Sequence, residues 1–150
     1  MESKVNIIEQ QRDGYTISTD RTRLDIGLIH DFLSEDSYWA QGRPYAVVGK
    51  SVEHSLCFGI YTGTEQVGFA RVVTDYATFA WLCDVFVVES HRGRGLGKWL
   101  VETVVAHPDL DGIRLFILAT RDAHGLYHRY AGFEPLEVPQ KWMVRHPSPS

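Results

Sequence analysis

The stretch Val85-Phe86-Val87-Val88-Glu89-Ser90-His91-Arg92-Gly93-Arg94-Gly95-Leu96-Gly97-Lys98 leaves few folds open to this chain. It reads as an apolar strand, a basic glycine-rich turn and the start of a helix. Glycines at 93, 95 and 97 remove side chains where a ligand must approach the backbone closely. A helix opening directly behind them aims several amide N–H groups at one spot, and its dipole adds positive potential there. Arg92, Arg94 and Lys98 add formal charge. A turn of this make-up is suited to hold a phosphate or pyrophosphate.

Three phosphate loops compete. A Walker A loop needs a glycine five positions before its Gly-Lys pair and a Ser or Thr after it; here Arg92 and Trp99 stand at those places. A Rossmann fingerprint needs G-x-G-x-x-G after the first strand of a βαβ unit. The spacing here is G-x-G-x-G, in the second half of the chain. The arginine-initiated pattern R-x-x-G-x-G is matched by Arg92-Gly93-Arg94-Gly95-Leu96-Gly97. This resembles the acetyl-CoA pyrophosphate loop of the GNAT superfamily of N-acetyltransferases. Without a ligand, the same residues make a tight strand-to-helix turn.

The residues behind the loop extend the resemblance. Leu96, Leu100, Val104 and Val105 fall close to one helical face. Pro108 ends that helix, because proline cannot continue the backbone ladder. Ile113–Ala119 is a strongly apolar strand. Asp122 and its neighbours start a helix to about Ala131, with Gly132-Phe133 as its terminator. This order, with Tyr127 on the last helix, is similar to the GNAT cofactor half. The resemblance covers about residues 15–145. One departure is a spacing: Tyr127 stands five positions before Gly132, where the family pattern has four. An extra helical residue turns everything beyond it by about 100°, unless a bulge or a loosened last turn absorbs it. Tyr127 is matched to the family tyrosine; Tyr130 is the alternative.

A chain of 150 residues is expected to form a single domain, residues 1–150, with its core over about 15–145 and a disordered tail at 146–150. No apolar run approaches the ~20 residues of a membrane span, and Met1–Glu9 has no signal-peptide core. Cys57 and Cys83 read as buried thiols of a reducing cytoplasm. A net charge of −4 argues against nucleic-acid binding and is loosely compatible with a cationic substrate. The first half reads as a strand at Gly14–Ser18, a helix from Asp20 or Thr22 to about Leu33, and a turn-rich connection at Ser34–Pro44. A helix at about Tyr45–Glu53 and strands at about 56–62, 66–74 and 78–88 follow, with turns at Gly63-Thr64-Glu65 and Asp75-Tyr76-Ala77. The resemblance implies an α/β (α+β) fold: a mixed, mostly antiparallel sheet flanked by about four helices and splayed where CoA enters, between strands near 84–88 and 113–119.

The resemblance also implies a reaction: direct transfer of an acetyl group from acetyl-CoA to a primary amine of a small molecule. The amine must lose a proton, the oxyanion needs a donor, and the departing thiolate needs a proton. Arg92 to Lys98 (Arg92, Gly93, Arg94, Gly95, Leu96, Gly97, Lys98) match the pyrophosphate loop, and Phe86, Val87 and Val88 match the backbone that binds pantetheine. Tyr127 is the candidate acid; its other reading is an ordinary helix tyrosine. Strand alternation puts Asp84, Phe86 and Val88 on one face and Cys83, Val85 and Val87 on the other. A carboxylate in so apolar a run is costly unless it is paired or faces a wet cleft. Asp84 is therefore either a base or amine anchor at the acceptor site, or the ion-pair partner of Arg71. Arg71 and Asp75 share an alternating face and are expected at the same cleft. Tyr38 and Trp39 are candidate acceptor contacts, or simply fasten their loop to the core. No clustered Cys/His set or nucleophile elbow points to a metal or an acyl-enzyme. Family members often dimerise, and Lys141–Arg145 is a candidate contributing strand. The alternatives are a CoA-binding sensor or interaction module without turnover, and acetylation of a peptide or protein amine.

Overall fold

The computed structural model describes residues 6–147. Six strands form one sheet: β1 (Glu9–Arg12), β2 (Tyr15–Ser18), β3 (Leu56–Thr62), β4 (Glu65–Thr74), β5 (Phe79–Val87) and β6 (Leu115–Leu118). They lie in chain order. Each neighbouring pair from β1 to β5 is antiparallel, and β6 runs parallel to β5. Parallel neighbours need a crossover, and α3 (Leu96–Val105) lies within it. The other α-helices are α1 (Ile26–Asp31), α2 (Tyr45–Glu53) and α4 (His124–Ala131). Among the described residues, then, the architecture is the expected mostly antiparallel sheet with four α-helices.

The sheet separates two cores. Phe58, Val72 and Leu82 pack with Leu100 and Val104 of α3 and with Tyr127 of α4. Cys57, Phe69 and Phe86 pack with Ile29 of α1 and Val48 of α2. With helices on both faces, β3 is buried along nearly its whole length. Its apolar run Leu56-Cys57-Phe58-Gly59-Ile60-Tyr61 shows no alternation for that reason.

Two features of β5 open the sheet. Its pairing with β6 stops at Leu82↔Leu118, although β5 runs on to Val87. Its register with β4 jumps from Arg71↔Cys83 to Phe69↔Phe86, so Ala70 faces both Asp84 and Val85. This is a β-bulge, and Asp84 takes the left-handed backbone it requires, with φ +54°. A bulge bends and twists its strand, and it sits where β5 leaves β6. It also corrects the expected alternation. Asp84 and Phe86 do share a side, but Cys83 joins them opposite Arg71, because the extra residue shifts the period by one.

Other expectations are adjusted locally. β1 lies outside the expected strands: its residues are all exposed and polar, and only pairing with β2 defines it. Asp13 (φ +52°) and Gly14 (φ +83°) make the two-residue turn between them. The first long helix is divided. A 3₁₀ turn at Arg21–Arg23 is capped by Asp20, and α1 begins afresh behind its own cap, Asp25, whose carboxylate accepts from Leu28 N–H. Lys141–Arg145 forms no strand in this single chain: Lys141 closes a 3₁₀ turn, no strand lies beside the rest, and a lone strand has no ladder to hold it. Of the tail at 146–150, only His146 and Pro147 lie within the described residues, and they carry no regular structure.

Candidate active site

Two concave surfaces lie along β5 where it parts from β6. A cavity of about 450 Å³ lies against Trp39, Arg43, Asp84, Thr120, Arg121 and Tyr127. A depression of about 250 Å³ lies on Val87, Arg92, Gly93, Gly95 and Gly97.

The depression is built by the glycine loop. Gly95 caps α3 with φ +76° and offers no side-chain oxygen to the helix. The first α3 amide in the helical ladder is Trp99 N–H, donating to Gly95 O. The amides of Leu96, Gly97 and Lys98 precede it and point out of the helix end. A Cβ built on Gly93, Gly95 or Gly97 meets no atom within 4 Å, so the space there is open. Arg92 Nε–H donates to Val87 O (2.9 Å), which ties the loop to the strand end. Lys98 Nζ lies 4.8 Å from the centre of the Tyr130 ring.

The three strand residues differ in what their backbones can offer. Val88 N–H donates to Val67 O, and Phe86 is paired with Phe69. In an antiparallel ladder the intervening residue then turns its N–H and C=O the other way. Val87 therefore turns both groups away from β4: its C=O accepts from Arg92, and its N–H faces the gap. The Phe86 ring is buried and stacks on Phe32, with centroids 3.9 Å apart.

Asp84 is 4% exposed and lies at the centre of a polar cluster. Its Oδ2 accepts from Arg71 Nε–H (2.9 Å) and Arg43 Nη1–H (2.9 Å). Its Oδ1 accepts from Trp39 Nε1–H (2.9 Å). Arg71 in turn donates from Nη1 to Ser55 Oγ (3.0 Å). The pairing of Asp84 with Arg71, one of its two expected roles, is present. Three donors thus surround this carboxylate, two on Oδ2 and one on Oδ1.

Tyr127 is 9% exposed, packs edge-on against Phe133, and lines the larger cavity. Among the described residues its hydroxyl makes no hydrogen bond. Burial, with a smaller contribution from Tyr38, pushes its phenol up to about 12. The extra residue before Gly132 is absorbed at the end of α4. Phe133 N–H reaches back six residues to Tyr127 O, one more than the usual glycine-capped closure. The helix ahead of this loosened turn is regular, so Tyr127 keeps its place on the cavity side. Tyr130 does not line the cavity; it packs beside the α3/α4 core.

Tyr38 and Trp39 both reach the cavity. Tyr38 Oη accepts from Arg121 N–H (3.0 Å), and the Arg121 guanidinium stacks over the Tyr38 ring at 3.8 Å. This contact joins the α1–α2 connection to the β6–α4 loop across the cavity mouth. Asp75 lies elsewhere, which corrects its expected place at the cleft. β4 ends at Thr74, so alternation no longer carries to 75. Asp75 instead binds the hydroxyl of Thr78 and the amides of Ala77, Thr78 and Phe79. Those bonds, the Thr78 hydroxyl first, hold its carboxyl well below the usual range. Arg43, Trp81 and Arg121 line the cavity but were not among the expected site residues. Arg43 lies in the connection that carries Tyr38 and Trp39, which was the one available signal.

Comparison with known proteins agrees with this geometry. The model of the "Acetyltransferase (GNAT) family" matches residues 23–133. A Gibberella zeae protein named "Putative acetyltransferase FG08082" is 31% identical over 155 residues, covering 87% of this chain and 86% of the relative. A crystal structure from Xanthomonas campestris pv. campestris, described as belonging to the GNAT family, is 55% identical with a TM-score of 0.86. The match covers 91% of this chain and 95% of that one. A structure from Deinococcus radiodurans R1 shares the fold at 17% identity, with a TM-score of 0.69 over 90% of this chain and 92% of its own. With its phosphate-type loop, open sheet and cavity-facing tyrosine, this chain belongs to the GNAT family and is an acyltransferase.

Proposed function

We propose that this acyltransferase moves the acetyl group of acetyl-CoA directly to a primary amine of a small molecule, within a ternary complex. The observation that carries the reading is the gap in the sheet. It has a loop of outward-facing amides at one end and Tyr127 in a 450 Å³ cavity at the other. Arg92–Lys98 hold the pyrophosphate through backbone N–H groups and formal charge. Val87 offers its backbone N–H to the pantetheine side of the cosubstrate. The amine nitrogen attacks the thioester carbon, the new C–N bond forms and the C–S bond breaks. The amine gives up its proton to solvent water, Tyr127 supplies one to the departing thiolate, and solvent returns a proton to the Tyr127 phenolate. Asp84 acts as a positioning residue, because its carboxylate accepts from Trp39 and Arg43 and holds both in the cavity wall. An acyl-enzyme is disfavoured, because burial pushes both thiols, Cys57 and Cys83, up to about 12 and suppresses the nucleophilic thiolate. Thiols of this kind suit a reducing cytoplasm. No helix among the described residues is long and apolar enough to cross a membrane.

The test is free-thiol release from acetyl-CoA across a panel of primary amines, with the acetylated product identified by mass. Amine-dependent release with an N-acetyl product is expected. Saturable CoA binding without amine-dependent release would overturn the reading.

Gly97→Ala tests the loop separately from the fold. Gly97 has no neighbour within 4 Å of its would-be Cβ, and its φ is not positive. Alanine there favours the helix by up to about 1 kcal/mol. The methyl group projects into the space given to the phosphates. We expect an unchanged or higher melting temperature together with acetyl-CoA binding weakened about tenfold, measured by calorimetry. Unchanged affinity would place the pyrophosphate elsewhere.

A further inference from the structure

We propose that the acceptor is a small amine that also carries an anionic group, a carboxylate or a phosphate, held by Arg43 and Arg121. This rests on the acetyl-transfer reading and names the substrate class of the same site. The first observation is the charge of the cavity wall. It contains three guanidinium groups, of Arg43, Arg71 and Arg121, against two carboxylates, of Asp84 and Asp122. The chain as a whole carries −4, so the cationic substrate suggested by net charge does not match the local field.

The second observation is how those charges are used. Asp84 Oδ2 is shared by Arg71 and Arg43. Arg71 is 7% exposed and spends its Nε and Nη1 on Asp84 and Ser55. Arg43 donates only from Nη1 among the described residues, and its side chain is 23% exposed. Its remaining N–H groups are thus available at the cavity wall. Asp122 lies 3.8 Å from Arg121, with both side chains about two-thirds exposed. Such a pair is worth little and yields to a better acceptor. Arg121 is nonetheless fixed at the mouth by its backbone bond to Tyr38 and its stacking on the ring. Guanidinium groups bind carboxylate and phosphate with matched geometry. The same groups disfavour a second ammonium nearby, which tells against a polyamine. Trp39 and Trp81, each about 40% exposed, supply apolar wall for the body of the acceptor.

The experiment uses matched pairs on the whole protein. Phenylalanine is compared with phenylalaninamide and phenethylamine, 2-aminoethyl phosphate with ethanolamine, and spermidine serves as the cationic member. Thiol release gives kcat/KM, and calorimetry on the CoA-loaded protein gives binding without turnover. At least one acid-bearing member is expected to exceed its uncharged partner by about tenfold or more, mostly through KM. The phenylalanine and aminoethyl phosphate arms separate carboxylate from phosphate. Arg121→Gln and Arg43→Gln should each remove most of that preference, and Arg121→Lys should restore part of it. Preference for spermidine or for the uncharged partners, or a preference that survives both glutamine variants, would overturn the inference while leaving acetyl transfer intact. Binding of the acid-bearing compounds with no acetylation would overturn acetyl transfer and keep the anion site. Neither binding nor acetylation of any member would overturn both.

Discussion

Tyr127→Phe is expected to lower the rate of amine-dependent thiol release by about 10²-fold or more, with the fold and acetyl-CoA binding retained. The substitution removes one oxygen that makes no hydrogen bond among the described residues. It leaves the ring packed against Phe133. Melting temperature should therefore stay within about 2 °C. The pH dependence adds a second check. Burial raises the phenol to about 12, so the neutral, proton-bearing form dominates throughout the working range. Loss of the Tyr127 proton should not limit the rate until pH nears that value. The sign for stability follows from the same shift. An unfolded tyrosine ionises near 10, so the folded state loses stability as pH rises from about 10 towards 12 and loses none of it below. Phe at 127 should abolish that alkaline loss. An unchanged rate in the variant would remove Tyr127 as the acid.

Asp84→Ala should cost roughly 3 kcal/mol of stability and lower the melting temperature by about 6–12 °C. Two guanidinium groups and an indole N–H converge on this one carboxylate. Without it, Arg71 is left charged and buried with only Ser55. Part of the cost is spared because Arg43 can turn to solvent. The backbone contributes separately, since alanine at φ +54° is strained by roughly 1 kcal/mol where glycine is not. Asp84→Gly should accordingly be about 1 kcal/mol more stable than Asp84→Ala, although both lose the ion pairs. Denaturant midpoints at constant slope measure both differences. A loss below about 1 kcal/mol in the alanine variant would show that the cluster contributes little.

What could be read in advance depended on how locally each feature is encoded. The glycine loop was legible because its glycines, cations and helix start are contiguous. β1 was not, because Glu9-Gln10-Gln11-Arg12 has no apolar face and exists by pairing with β2. The Asp13-Gly14 turn was its one usable signal. Alternation placed Asp84 with Phe86 yet misplaced Cys83, since one bulged residue resets the period. It also carried Asp75 past the end of β4, where the turn's own hydrogen bonds take over. The length of α1 failed for a similar reason. Asp20 and Asp25 are both capping residues, and the chain uses each in turn.

The amino-acid order by itself determined the phosphate-type turn, the strand–helix–strand–helix order behind it and the presence of a tyrosine on the last helix. Each of these is a property of neighbours along the chain: backbone freedom at glycine, helical period, a terminating Gly-Phe. The tertiary structure decided which tyrosine meets the cavity, which backbone groups turn into the gap, and the sign of the acceptor wall. Those depend on Trp39, Arg43, Arg71 and Asp84 meeting across as many as 45 residues of sequence. Charge interactions act through space, so their balance exists only once the bulge in β5 has brought these groups within hydrogen-bonding distance.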